Sequence, residues 1–183
     1  MKKVSIKPNT YIYLTILLLT IPFPWVVAWL AAITTHELFH YFAVKLCGGK
    51  IHSIAIGFGG AELQCSQLTQ GCSIFAVMCG PIGGFLLAGL GRYFPRTALC
   101  SFLLSVYNLL PIMPFDGGRV LQLLITSKRV FCFVKNITIM IILLISIYAT
   151  LFFNLGIFPL LLVLGIYIKN RKSPCKEGIC RVQ

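Results

Sequence analysis

The run from Trp25 to Cys47 is apolar and long enough to cross a bilayer, yet it holds the stretch His36-Glu37-Leu38-Phe39-His40 in its interior. A carboxylate at the centre of a membrane helix costs about 2.5–3.5 kcal/mol, so Glu37 at that depth marks a function by default. On a helix, residues four apart share one face about a turn apart, and His36 and His40 can therefore reach a single metal ion. Glu37, beside the first of them, can stand next to a metal-bound water and take its proton. The competing reading is a chance HExxH match whose histidines are satisfied core residues, and the rest of the chain decides between the two.

Of the 183 residues, 58% are hydrophobic and only 11% are charged. A soluble domain of this size needs far more polar surface, so the chain is expected to be a multi-pass integral membrane protein whose solvent is the lipid bilayer. Nothing outside the apolar runs is long enough for a second core. Residues 1–183 are read as one membrane domain, with a core of about residues 10–170 and a short basic tail at 169–183. The first run, Tyr11 to Ile21, follows Lys2, Lys3 and Lys7 as in a signal peptide, but no small-residue cleavage site follows and it is taken as retained.

The net charge of +12 does not point to nucleic acid, because the basic residues cluster at the ends of apolar runs, where the positive-inside rule acts. Six of the eight cysteines (Cys47, Cys65, Cys72, Cys79, Cys100 and Cys132) lie in or beside apolar segments, where a free thiol behaves as a small hydrophobe. Cys175 and Cys180 form a C-x4-C pair in the basic tail, read as solvated and reduced rather than as a metal clip.

In chain order, Lys7 to Pro24 reads as a short first span and Trp25 to Cys47 as a second, with Trp25 and Trp29 near an interface. Ile51 to Leu63 differs: Ile54, Ile56 and Phe58 alternate with small residues, and Gly57, Gly59 and Gly60 follow, which predicts a strand or hairpin. A strand edge in a membrane must be covered or line a cavity. Gly71 to Gly91 is a third span, in which Gly80-Pro81 and Gly83-Gly84 permit close helix contact or a kink. Thr97 to Ile125 is a fourth, broken over Asn108 to Gly118 by Pro111, Pro114, Gly117 and Gly118. The apolar stretch from Asn136 to Ile168 is too long for one upright span, and Asn154, Gly156 and Pro159 offer a turn between two short ones.

The predicted fold is thus all-α and polytopic: about six transmembrane helices, a short membrane-associated β-hairpin, and one broken helix carrying the Asp116-Gly117-Gly118 motif. Six crossings with both termini cytoplasmic put Lys2, Lys3, Lys7, Lys45, Lys50, Lys128, Arg129, Lys135, Lys169, Arg171, Lys172, Lys176 and Arg181 inside and only Arg92 and Arg96 outside. Merging the first two runs would reverse the N-terminal lysines, so the bias favours six.

Glu37 and Asp116, two of the four acidic residues, fall within spanning segments, and a divalent cation would offset the cost of both. Two histidines and a carboxylate, with a fourth position left to water, is the ligand set of a catalytic zinc. One zinc at His36, His40 and Asp116 would lower the pKa of its water towards about 7, and Glu37 would accept the proton as a peptide carbonyl is attacked. The glycine-rich strand could receive an unwound peptide by strand addition. Asn108 either helps hold the substrate or makes a helix-packing hydrogen bond; the sequence leaves both open. His52 reads as a loop residue, and Arg119 as steadying the Asp116 turn or snorkelling to headgroups.

HELFH in one span and NLLPIMPFDGG in a later one resemble the site-2 protease family (peptidase M50) of intramembrane zinc metalloproteases, in particular the small bacterial type that includes the stage IV sporulation protease. The resemblance covers roughly residues 10–170. It implies zinc at His36, His40 and Asp116, Glu37 as the catalytic residue, and the Gly57–Gly60 hairpin as a substrate element. A transmembrane or membrane-tethered protein would be the substrate, in a bacterial cytoplasmic membrane, with room for regulatory membrane proteins. Two departures stand out: Phe39 occupies a position where small residues are common, and neither a PDZ-like nor a CBS-like domain accompanies the spans. Two rival functions are a non-catalytic relative that binds membrane helices and a cation or proton transporter. The intact motif argues against the first, and the lack of a repeated broken helix against the second.

Overall fold

Prolines open two of the helices that build the site, and glycines close or join them. The computed structural model describes residues 3–6, 21–57, 60–66, 68–113, 115–125, 127–153 and 181–182. Helix α1 (Phe23–Leu46) starts with a proline in its first turn, where the missing N–H is no loss. It ends in a Schellman turn: Gly48 adopts φ 73°, its N–H bonds Lys45 O at 3.0 Å, and the Gly49 N–H bonds Val44 O at 2.9 Å. That left-handed residue is why Gly48 stands there.

Helix α2 (Gln70–Ala88) is capped by Thr69, whose hydroxyl accepts from the Cys72 N–H at 3.4 Å. Helix α3 (Pro95–Asn108) again begins on a proline. The three helices pack on one another through small residues. Ala28, Ala32, Ala43, Ala76, Gly83 and Gly84 face inward, while Phe42, Leu86 and Leu103 face out. Small-in, large-out is the arrangement a lipid solvent asks of packed helices. Trp29 packs against the core of Ala28, Ala32 and Cys100.

Between α1 and α2 lie strands β2 (Ile51–Gly57) and β3 (Gly60–Cys65), paired antiparallel with Gly57 opposite Gly60. The expectation of an all-α protein with an isolated hairpin needs correction here. Strand β1 (Lys3–Ile6) adds parallel to β2, and β4 (Arg181–Val182) adds antiparallel to β3, giving a four-stranded sheet in sequence order. The unpaired edge groups that a lone hairpin would present are satisfied by chain segments from far away in sequence.

The contacts divide the chain into two units, Met1–Leu109 with Ile179–Gln183, and Leu110–Gly178. The second unit holds α4 (Asp116–Leu124) and α5 (Lys128–Phe153). The break expected over Asn108–Gly118 is present, since α3 stops at Asn108 and α4 starts at Asp116. Within it, the Phe115 N–H bonds Ile112 O at 3.0 Å. A Cβ on Gly118 would come within 2.7 Å of Met113 N, so the glycine is required by the closeness of the turn.

Helix α5 begins at Lys128 rather than near Asn136, because Lys and Arg are good helix formers whose heads need not leave the helix to be solvated. Among the described residues, α2 and the stretch Arg129–Tyr148 of α5 are long and apolar enough to cross a membrane. Helix α1 has the length, 24 residues or about 36 Å at helical rise, but its polar cluster lowers its hydropathy. Of the first expected span, Lys7 to Pro24, residues 7–20 lie outside the described residues, as do the turn at Asn154, Gly156 and Pro159, Gly59, and the Cys175–Cys180 pair, whereas Phe23 and Pro24 open α1.

Candidate metal centre

His36 and His40 project from the same face of α1, and both are buried, at 4% and 0% exposure. Their Nε2 atoms stand 3.2 Å apart, with the rings nearly perpendicular at 85°. Two nitrogens each about 2.0–2.1 Å from a tetrahedral zinc are separated by about 3.3–3.4 Å. The pair therefore already has the spacing that one shared ion demands.

The His40 ring is fixed from behind. Its Nδ1 donates to the carbonyl of Ala76, on α2, at 2.8 Å. A ring that donates through Nδ1 keeps its lone pair on Nε2, the atom turned towards His36, so the tautomer is the metal-binding one. Gly80, one turn further along α2, lies against the same imidazole and leaves no room for a Cβ. Neither Ala76 nor Gly80 was singled out for this role by the sequence. A backbone carbonyl leaves no sequence signal, whereas Gly80-Pro81 was visible as a site of close contact without its partner.

Asn108, the last residue of α3, brings its Nδ2 to 3.4 Å from His36 Nε2. Its amide thus lies beside the metal-facing nitrogen of a candidate ligand, not in a packing contact remote from the site. Glu37 is half-buried on α1, adjacent to His36. Gly57 and Gly60 belong to the sheet, at the turn end of β2 and β3. Asp116 opens α4 in the second unit and is itself 3% exposed. His52 is exposed on strand β2 rather than in a loop as expected.

Two buried nitrogen donors spaced for a tetrahedral ion, with His40 in the metal-binding tautomer, fit a zinc site as far as the first unit supplies it. Residues 86–149 match the family model described as peptidase family M50, a stretch that contains Asn108 and Asp116. A zinc metalloprotease of Methanocaldococcus jannaschii is 24% identical over 111 residues, covering 53% of this chain and 33% of the relative. This chain therefore spans about a third of that relative's length. The solved structure of a site-2 protease from Methanocaldococcus jannaschii superposes with a TM-score of 0.57 at 21% identity, covering 93% of this chain and 88% of the other. Over residues 86–149 the chain is similar to peptidase family M50, and it has the fold of a site-2 protease.

Proposed function

We propose that this chain is an intramembrane zinc metalloprotease that hydrolyses a peptide bond in a membrane-embedded or membrane-tethered protein. The convergence of His36 and His40 at 3.2 Å, with His40 held in the metal-binding tautomer, carries the reading. Asp116 is proposed as the third ligand. A carboxylate buried this deeply is costly unless a cation or hydrogen bonds balance it, and α4 begins at a break in the helix that lipid-facing backbone would not tolerate.

Zinc, when bound, supplies Lewis acidity, lowering the pKa of water to about 7 and polarising the substrate carbonyl. The protein's own groups do the rest. Glu37 takes the proton of the attacking water and hands it to the departing amide nitrogen. The Asn108 amide, a donor at the edge of the histidine pair, orients the substrate carbonyl beside them. The Ala76 carbonyl keeps His40 from rotating away. An unwound substrate strand is proposed to add to the sheet, whose β3 edge also pairs with β4.

Two ring contacts support α1 as a span. Arg96 lies over Trp25 at 6.0 Å near one end, and Lys45 over Tyr41 at 5.7 Å near the other. Trp25 and Lys45 are about 30 Å apart at helical rise, the thickness of a hydrocarbon core. His40 and His36 would then lie about 7–14 Å below the Lys45 end. Six crossings with both termini on the Lys45 side, in a bacterial cytoplasmic membrane, complete the proposed topology.

Co-expression with a panel of single-pass membrane proteins tests the activity. A product that forms with the parent chain and disappears with Glu37→Gln supports it. A product that persists in Glu37→Gln contradicts the role of that carboxylate.

A further inference from the structure

Cys47 and Cys72 are brought together by elements that the metal site also uses, although neither takes part in it. Cys47 caps the C-terminus of α1, and Cys72 lies in the first turn of α2. The Cys47 Sγ stands 3.9 Å from the Cys72 carbonyl oxygen, and both residues are free thiols in partly buried surroundings.

We propose that Cys47 and Cys72 form a redox clasp, a thiol pair that closes to a disulfide on exposure to a peroxide. One thiolate attacks a peroxide oxygen, becoming a sulfenic acid as hydroxide leaves. The second sulfur then displaces hydroxide from it to form the S–S bond. The two thiols lose two electrons and two protons, and hydrogen peroxide is reduced to two waters.

The position gives the clasp two structural consequences. It closes the segment that carries β2 and β3, so the strand element is stapled at its base. It also ties α1 to α2 close to the contact that orients His40. Cys47 follows His40 by about two turns, and Cys72 precedes Ala76 by about one. Closure therefore restrains the two helices whose mutual position sets the His40 ring, and it removes the freedom of the strand pair to separate from the helix ends. Cys100 sits within the apolar core and Cys132 is exposed on α5, so these two thiols provide internal comparisons.

The test uses the full chain in lipid nanodiscs, treated with hydrogen peroxide or with a phosphine reductant, then alkylated, digested and analysed by mass spectrometry. The expected product is a Cys47–Cys72 linked peptide, formed in the parent and in Cys100→Ser and absent from Cys47→Ser and Cys72→Ser. Oxidation should also raise the unfolding temperature of the parent by several degrees, with no such rise in Cys47→Ser. The proposal is overturned if both thiols stay alkylatable at a peroxide dose that oxidises Cys132, or if Cys47 links to a different cysteine. No readout depends on proteolysis, so this result and the fate of the proposed protease activity are separable.

Discussion

Gly80 of α2 lies against the imidazole of His40, so close that a Cβ there would stand 2.8 Å from Cδ2 and nearer still to Nε2. The glycine is thus part of how a ligand is aimed, since any side chain would displace the ring from the Ala76 carbonyl. Gly80→Ala should reduce bound zinc and lower cleavage by about 10–100-fold, the range for lost outer-shell support of a metal ligand. Gly71, in the same helix with nothing within 4 Å of its virtual Cβ, is the control: Gly71→Ala should leave both unchanged. Helical content by circular dichroism should match the parent in each.

Phe39 and Gly83 make a second contact of the same kind. The phenyl ring of Phe39 lies over Gly83, and a Cβ at that position would strike it, 2.7 Å from Cδ1. A bulky residue next to His40 is accommodated because Gly83 of the facing helix has no side chain. Gly83→Ala should destabilise the protein by about 1–3 kcal/mol through overpacking. Combining it with Phe39→Ala should cost less than the two separate losses added together. Unfolding of all three variants in mixed micelles measures the coupling; strict additivity would mean that the ring and the glycine do not meet.

The outer edge of β3 is occupied by Arg181–Val182, with Val182 opposite Leu63 and Arg181 opposite Gln64. A substrate strand adding to that edge must displace β4, whereas the other edge is held by the longer β1. Val182→Pro removes a backbone N–H and should weaken the pairing. Cleavage of a fixed substrate is expected to rise a few-fold. An unchanged or lower rate would show that the incoming strand does not compete with β4.

Much of the site was legible because its chemistry is local in sequence. HELFH on a helix brings the two imidazoles together, and the Pro111, Pro114, Gly117 and Gly118 cluster interrupts a helix wherever it occurs. The hairpin could be read from alternation and glycines alone. The sheet around it could not, because β1 and β4 are short segments whose strand character comes only from partners that lie far off in sequence. Nor could the Ala76 carbonyl, since every residue carries the same acceptor and only the packing of α2 on α1 selects it. Lys128, Arg129 and Lys135 were read only as marking the cytoplasmic side, and they lie in the first turns of α5.

Within the proposed reaction, Glu37 and Asn108 are expected to separate by assay. Asn108→Ala should retain zinc and lose rate, by about 10²-fold if its amide meets the developing charge at the substrate carbonyl. Asn108→Asp, which removes the donor but keeps the size, should do no better. A variant at Asn108 that loses zinc together with activity would assign it to holding His36 instead.

Zinc content of the purified protein tests the central claim most directly. The parent and Glu37→Gln should each hold one zinc per chain, because Glu37 is assigned to proton transfer and not to ligation. His36→Ala, His40→Ala and Asp116→Asn should each bind little or none. Full occupancy in Asp116→Asn, or loss of zinc in Glu37→Gln with the fold intact, would contradict the proposed ligand set.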